Sequence, residues 1–302
     1  MRPLERVLFA TDYSKASRYA FEHAVALAAR SGAALHIVHV AGAGEPDANE
    51  TEAQSVSDAA IRAVLDRLAP ADVDWTPWLQ TKVHRDTLMK TEPAVALAEY
   101  ARRQQIGLLV VGTHGRRNLA HVLLGSVAEH VVRLADCPVW VVGRGDRHAL
   151  RSWRPQRVLA AIDFSEPAKQ ALQQAAVLCR GDTSKLIALN ALENAPNPVF
   201  NPFSDVPLRQ VSEQMQTRAQ QALEALLNQL PEAPHQTHAM VLQGRAHHEI
   251  VRAAREHDAD LIVMGPTGVS AIERVLLGTV TGRVLRTAPC PVFVTRGEPL
   301  EI

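Results

Sequence analysis

The sequence has no run of about 18 or more apolar residues, so no membrane-spanning helix and no membrane partner are expected. Its start enters a strand pattern at Val7 without the charged-then-apolar lead of a secretory signal. Cysteine is scarce. Cys137, Cys179 and Cys290 form an odd set with neither C-x-x-C nor metal-ligand spacing, which fits a reducing, cytoplasmic setting. Net charge is absent as well, with 32 Lys and Arg against 32 Asp and Glu. A general nucleic-acid binder needs a basic surface, so no nucleic-acid partner is expected.

Several chemical signatures are also missing. There is no G-x-x-x-x-G-K-[ST], and no G-x-G-x-x-G follows an early strand. No G-x-S-x-G elbow or pair of catalytic carboxylates stands out, so no catalytic residue is assigned. The 13 histidines do not supply ligand geometry. His247 and His248 are adjacent on a helical pattern, and His36 and His39 fall on opposite faces of a strand, so no metal site is expected.

What is present is a duplicated layout. Residues 108–111 are continuous apolar β-formers ending at Val111, followed by Gly112 and Gly115, nine residues, then Gly125 and Ser126. Residues 261–264 end at Met264, followed by Gly265 and Gly268, nine residues, then Gly278 and Thr279. Glycines let backbone N–H groups approach a ligand closely, and a helix start offers free donors and the positive end of its dipole. Ser126 is read as a helix N-cap with Glu129 completing a capping box; Thr279 takes the same role without the reciprocal carboxylate, since residue 282 is glycine. Simple turns and caps would account for one copy. Identical spacing in two copies favours a phosphate cradle, built from backbone dipoles and a hydroxyl without a cationic clamp.

The 302 residues, 47% of them apolar, suit two domains, placed at 1–143 and 157–302 with a polar, basic linker over 144–156. In the first, strands are expected at 6–10, 34–40, 83–89, 108–111 and 138–142, with helices from 19, over 51–68, from 93 and from 126; residues 70–82 read as irregular. Asp12 stands at the carboxyl end of the first strand, and Ser14 is placed to cap the following helix. The pattern restarts at Val158, and Asp163-Phe164-Ser165 echoes Asp12-Tyr13-Ser14. Glycine-loop residues, Cys137 and Pro138 recur 153 positions later, and Asp12 recurs 151 positions later as Asp163. Alternating strands and helices give an α/β fold: two repeated doubly wound open parallel sheets with helices on both faces.

The strand-one aspartates, both G-x2-G-x9-G-[ST] motifs and the two Cys-Pro-Val triplets resemble the universal stress protein family in a tandem form. The resemblance covers nearly the whole chain. It implies five-stranded sheets of order 3-2-1-4-5 and, in some members, ATP binding. Carried over, Asp12 and Asp163 would approach the adenosine end, with Val40 and Ala191 beside the base. Gly112, Gly115, Gly125, Ser126 and Val127, after Val111, would wrap ribose and phosphates. Gly265, Gly268, Gly278, Thr279 and Val280, after Met264, would do so in the second half. The expected role is a stress-response regulator binding ATP, with or without magnesium. The rival readings are an interaction module with empty or other-ligand pockets, and a weak ATP hydrolase. The last strands, 138–142 and 291–295, are expected to pair the two halves within the chain. Protein partners and homo-oligomers stay open.

Overall fold

A computed structural model describes residues 1–302 except 15–16, 43–49, 69–72, 114–124, 144–153, 181–182, 194–207, 232–233, 235, 269–276 and 302. The first half runs β1 (Arg2–Pro3), β2 (Arg6–Thr11), α1 (Ser17–Ser31), β3 (Ala34–Ala41), α2 (Glu50–Gln54), α3 (Asp58–Leu68), α4 (Thr76–Lys82), β4 (Val83–Met89), α5 (Pro93–Arg103), β5 (Leu108–Gly112), α6 (Ser126–Leu134) and β6 (Val139–Val142). The second runs β7 (Arg157–Ala161), α7 (Glu166–Leu178), β8 (Lys185–Leu192), α8 (Leu208–Asn228), β9 (Gln236–Gln243), α9 (Ala246–Glu256), β10 (Leu261–Met264), α10 (Thr279–Thr287), β11 (Val292–Val294) and β12 (Leu300–Glu301).

The two expected sheets are one. Ten strands follow the order β4-β3-β2-β5-β6-β11-β10-β7-β8-β9. Neighbours pair in parallel except at the centre, where β6 and β11 run antiparallel with Val141 opposite Val292 and Val139 opposite Val294. The halves thus cover each other's inner sheet edge. The segments expected over 138–142 and 291–295 make this joint, within narrower bounds.

Continuous apolar strands are what a sheet covered on both faces requires. Side chains alternate between faces. Val7 and Phe9, with Leu108 and Val110, pack under α1, α3, α7 and α8 in one core. Leu8, Leu109 and Val111 pack under α5, α6, α9 and α10 in the other. Cys137, Cys179 and Cys290 are all buried and in no disulfide, and burial pushes the Cys137 and Cys179 thiols up to about 11.

Two local expectations are corrected, and one further element is found. Residues 76–82 form a helix, with Pro77 in its first turn, where a missing N–H costs nothing. The Trp78 indole N–H donates to the Ala33 carbonyl at 3.0 Å, anchoring that helix beside β3. The helix expected over 51–68 is two helices, because Ser57 interrupts it and its hydroxyl accepts from the Ala60 N–H at 3.3 Å. A two-stranded sheet not anticipated from the sequence pairs Arg2 with Leu300 and Pro3 with Glu301. The linker expected over 144–156 lies mostly outside the described residues.

Candidate functional site

Each first strand ends in the same turn. In the second half, Asp163 Oδ1 accepts from the Ser165 N–H at 3.0 Å and from its hydroxyl at 2.5 Å. The Ser165 hydroxyl oxygen in turn accepts from the Ala168 N–H at 3.3 Å and caps α7. In the first half Asp12 Oδ1 accepts from the Ser14 N–H at 3.0 Å, and the Ser14 hydroxyl accepts from the Ser17 N–H at 3.2 Å. Between aspartate and serine, Tyr13 and Phe164 sit at φ of 59° and 64°. An aromatic residue in left-handed backbone is costly, and its repetition in both halves marks a turn held by its surroundings.

The glycine loops close onto the helices that follow them. The Gly278 N–H donates to the Pro266 carbonyl at 2.8 Å, and the Gly125 N–H to the Thr113 carbonyl at 2.5 Å. Gly278, not Thr279, is the N-cap of α10; Gly125, not Ser126, is the N-cap of α6; neither helix has a side-chain cap bond. The capping box read at Ser126 and Glu129 does not form. The cause is the close turn: a Cβ at Gly278 would lie 3.3 Å from both Pro266 O and Thr267 Cα, so the cap position takes glycine. The hydroxyl residue shifts to the first helical position, and Glu129 pairs instead with Arg286 of the other half at 2.8 Å.

In the second half these parts enclose a cavity of about 320 Å³ at the carboxyl ends of β7, β8 and β10. Asp163, Met264, Gly265 and Gly268 line it, with Gly278, Thr279 and Val280 at the start of α10 and Ala191 on β8. Thr281 closes its floor, donating to the Gly265 carbonyl at 3.0 Å. Gly268 lies against Asp163: a Cβ there would stand 2.5 Å from Asp163 Oδ2. The strand order reverses at β7, where an open α/β sheet places its ligands.

In the first half, Asp12, Val40, Val111 and Gly112 occupy the corresponding strand ends, and Gly125, Ser126 and Val127 open α6. Gly115 and His114 lie outside the described residues.

Other wall residues escaped the sequence reading. Asn190, Ile162, Ala246 and Ile250 also line the cavity. Arg245 and His247 flank Ala246, and burial, then the charges of His248, Arg283 and Arg245, pull the His247 pKa below its ordinary value. Glu193 joins them, its Oε1 accepting from the Ala246 N–H at 3.0 Å and opposing that shift. No sequence spacing shows this, because Arg245 caps α9 while Arg283 lies in α10. Among the described residues no cluster of three or more His, Cys, Asp or Glu could hold a metal ion, and no helix is long and apolar enough to cross a membrane.

The family model for the universal stress protein family matches residues 3–143 and again 155–296. The chain belongs to the universal stress protein family. A family member from Thermus aquaticus is 32% identical over 139 residues, covering 46% of this chain and 97% of that protein. A Mycobacterium tuberculosis member is 28% identical over 212 residues, covering 70% of this chain and 68% of its own length. Among solved structures, a universal stress protein from Archaeoglobus fulgidus superposes with a TM-score of 0.59 at 19% identity, covering 96% of this chain and 98% of that one. A functionally unknown protein from Pseudomonas aeruginosa gives 0.67 at 18% identity, covering 97% and 92%. These two likenesses concern the fold.

Proposed function

We propose that this universal stress protein is a stress-response regulator that binds ATP, or another adenine nucleotide, in the second-half cavity. The phosphates would lie against the glycine loop and the first turn of α10. The observation that carries this reading is the convergence of Gly265, Gly268, Gly278 and Thr279 with Asp163 around one cavity.

The residues suit an anionic ligand. Added Cβ atoms would crowd Gly268 and Gly278, so the backbone itself forms the wall there. The first N–H groups of α10 have no acceptor within the helix and sit at the positive end of its dipole. Arg245 and Arg283 add charge nearby. The volume falls at the lower end of the range of small-molecule sites, about 300–1,000 Å³. Among the described residues no group of three or more His, Cys, Asp or Glu could hold magnesium beforehand, so the ion would enter with the phosphates. The matching turn at Asp12 and cap at Gly125 extend the proposal to the first half.

The test is direct. Purified protein is denatured and the supernatant chromatographed for released nucleotide; the emptied protein is then titrated calorimetrically with ATP, with and without magnesium. Released adenine nucleotide or a saturable heat supports the reading. Neither signal overturns it in favour of an interaction module.

A further inference from the structure

Two histidines from different strands meet far from the glycine loops. β4 is the edge strand of the first half, and His84 on it stands directly opposite His36 on β3. Residues paired across neighbouring strands share a face of the sheet. Here it is the face under α5, since Tyr100 of that helix reaches His36. The two rings lie 4.8 Å apart between centroids, tilted by 38°. His36 is 7% exposed, whereas His84 is open to solvent. Both line an open hollow of about 520 Å³ near the amino ends of β3 and β4.

The His36 ring is held in one tautomer. The Tyr100 hydroxyl spends its single hydrogen on Asp86 Oδ2. Its oxygen lies 2.9 Å from His36 Nδ1 and can only accept there, so Nδ1 carries the ring proton. Nε2 keeps the lone pair. It makes no hydrogen bond among the described residues and is not sealed from solvent. An imidazole whose N–H is fixed by an oxygen, itself bonded to a carboxylate, and whose other nitrogen is open has the outer support that metal-ligating histidines use.

Spacing and charge agree with this. Two imidazoles on one ion, at about 2.0–2.1 Å and at right or tetrahedral angles, hold their ring centres roughly 4.5–5.2 Å apart. Asp86, two residues after His84 and on the same face, is the only carboxylate among the residues lining the hollow. The two guanidinium groups there are engaged elsewhere. Arg6 Nη1 donates to Gln105 Oε1 at 3.3 Å, and Arg85 donates to the Val56 carbonyl at 3.1 Å and to Asp58 at 2.6 Å.

We propose that His36 and His84 form a two-histidine site for a divalent late transition-metal ion such as Zn²⁺, with water completing the coordination. Such a site does not need the cluster of three ligating residues that is absent among the described residues. The bound ion bridges the edge strand β4 to β3. The proposal is independent of the nucleotide reading above.

Equilibrium dialysis of the whole chain against Zn²⁺ tests this. The unaltered protein should hold one Zn²⁺ at least about tenfold more tightly than His84→Ala, which loses one of the two ligands. His84 is exposed and its side chain makes no hydrogen bond among the described residues, so this variant should keep the fold. The double variant His247→Ala, His248→Ala removes the adjacent pair elsewhere in the chain and should keep the tight ion. Saturating Zn²⁺ should also slow amide hydrogen exchange along β4 in the unaltered protein, and should not do so in His84→Ala. Equal affinity in the unaltered and His84→Ala chains overturns the proposal. So does loss of the tight ion in the His247, His248 double variant alone, and so does exchange along β4 that ignores Zn²⁺.

Discussion

Trp140 and Phe293 stand directly opposite each other where β6 meets β11, their rings edge to face with centroids 5.7 Å apart. They occupy the same position of the repeat, 153 residues apart. Two copies of one site thus meet at the joint, as in an isologous dimer interface drawn into a single chain. Both side chains are buried, at 2% and 0% exposure. Trp140→Ala and Phe293→Ala should each cost about 3–5 kcal/mol in urea unfolding, with the two losses failing to add because the rings share a contact. Losses below about 1 kcal/mol would show that the ring pair does not hold the joint.

Gly268→Val tests the cradle. The first added carbon would stand 2.5 Å from Asp163 Oδ2, and that carboxylate is held by Ser165, so loop or turn must move. No positive φ is recorded at Gly268, so the substitution strains the site more than the chain. ATP affinity should fall by more than about tenfold while far-UV dichroism and melting temperature stay near their original values. Unchanged affinity would remove the loop from the site. The first-half counterpart, Gly115→Val, should act on the first pocket in the same way.

Much of this architecture was legible because it depends on short-range chemistry repeated twice. The strands over 108–112 and 261–264 announce themselves by β-branched and apolar runs, and the aspartates follow the first strands in both copies. The helix starts were legible but their caps were misplaced by one residue, since capping rules favour Ser126 and Thr279, whereas crowding at Pro266 and Thr267 selects glycine. Asn190 was missed for a different reason. An asparagine in an apolar strand carries no local signal, and its meaning depends on the Ile162 carbonyl 28 residues away. The left-handed Tyr13 and Phe164 were equally hidden, because aromatic residues do not advertise that conformation.

Acid should weaken the fold through two histidines of the first half. Burial pulls the His23 pKa from an ordinary 6.5 to about 3, in a site against Trp140 with ring centroids 5.8 Å apart. Burial, then the neighbouring His84, pulls His36 to about 4, with Asp86 opposing and Arg6 assisting. His36 also shares a hydrogen-bonded chain with Tyr100 and Asp86. Both folded pKa values lie below the unfolded one, so the unfolded chain binds more protons. Stability is therefore complete above about pH 6.5 and falls as pH drops towards 4 and then 3. For His23 the loss is up to about 1.4 kcal/mol per pH unit. His23→Phe should flatten the fall in urea midpoint between about pH 6 and 4. An equally steep fall in that variant would place the acid sensitivity elsewhere.

The short sheet of β1 and β12 depends on one buried amide. Gln174 in α7 donates through Nε2 to the Leu300 carbonyl at 3.0 Å, and its Oε1 accepts from the Leu300 N–H at 2.6 Å. A single side chain thereby satisfies both backbone groups of a fully buried residue. Gln174→Ala would leave two buried polar groups unpaired, at about 1–3 kcal/mol for each group that water cannot reach. The loss should be local before it is global, because β12 is only two residues long. Hydrogen exchange at Leu300 and at the paired Arg2 and Leu4 amides should accelerate by at least about tenfold, while amides of β2 and β7 keep their rates. Uniform acceleration across the sheet would instead make the clasp part of the global folding unit, and unaltered exchange at Leu300 would show that β1 holds β12 without it.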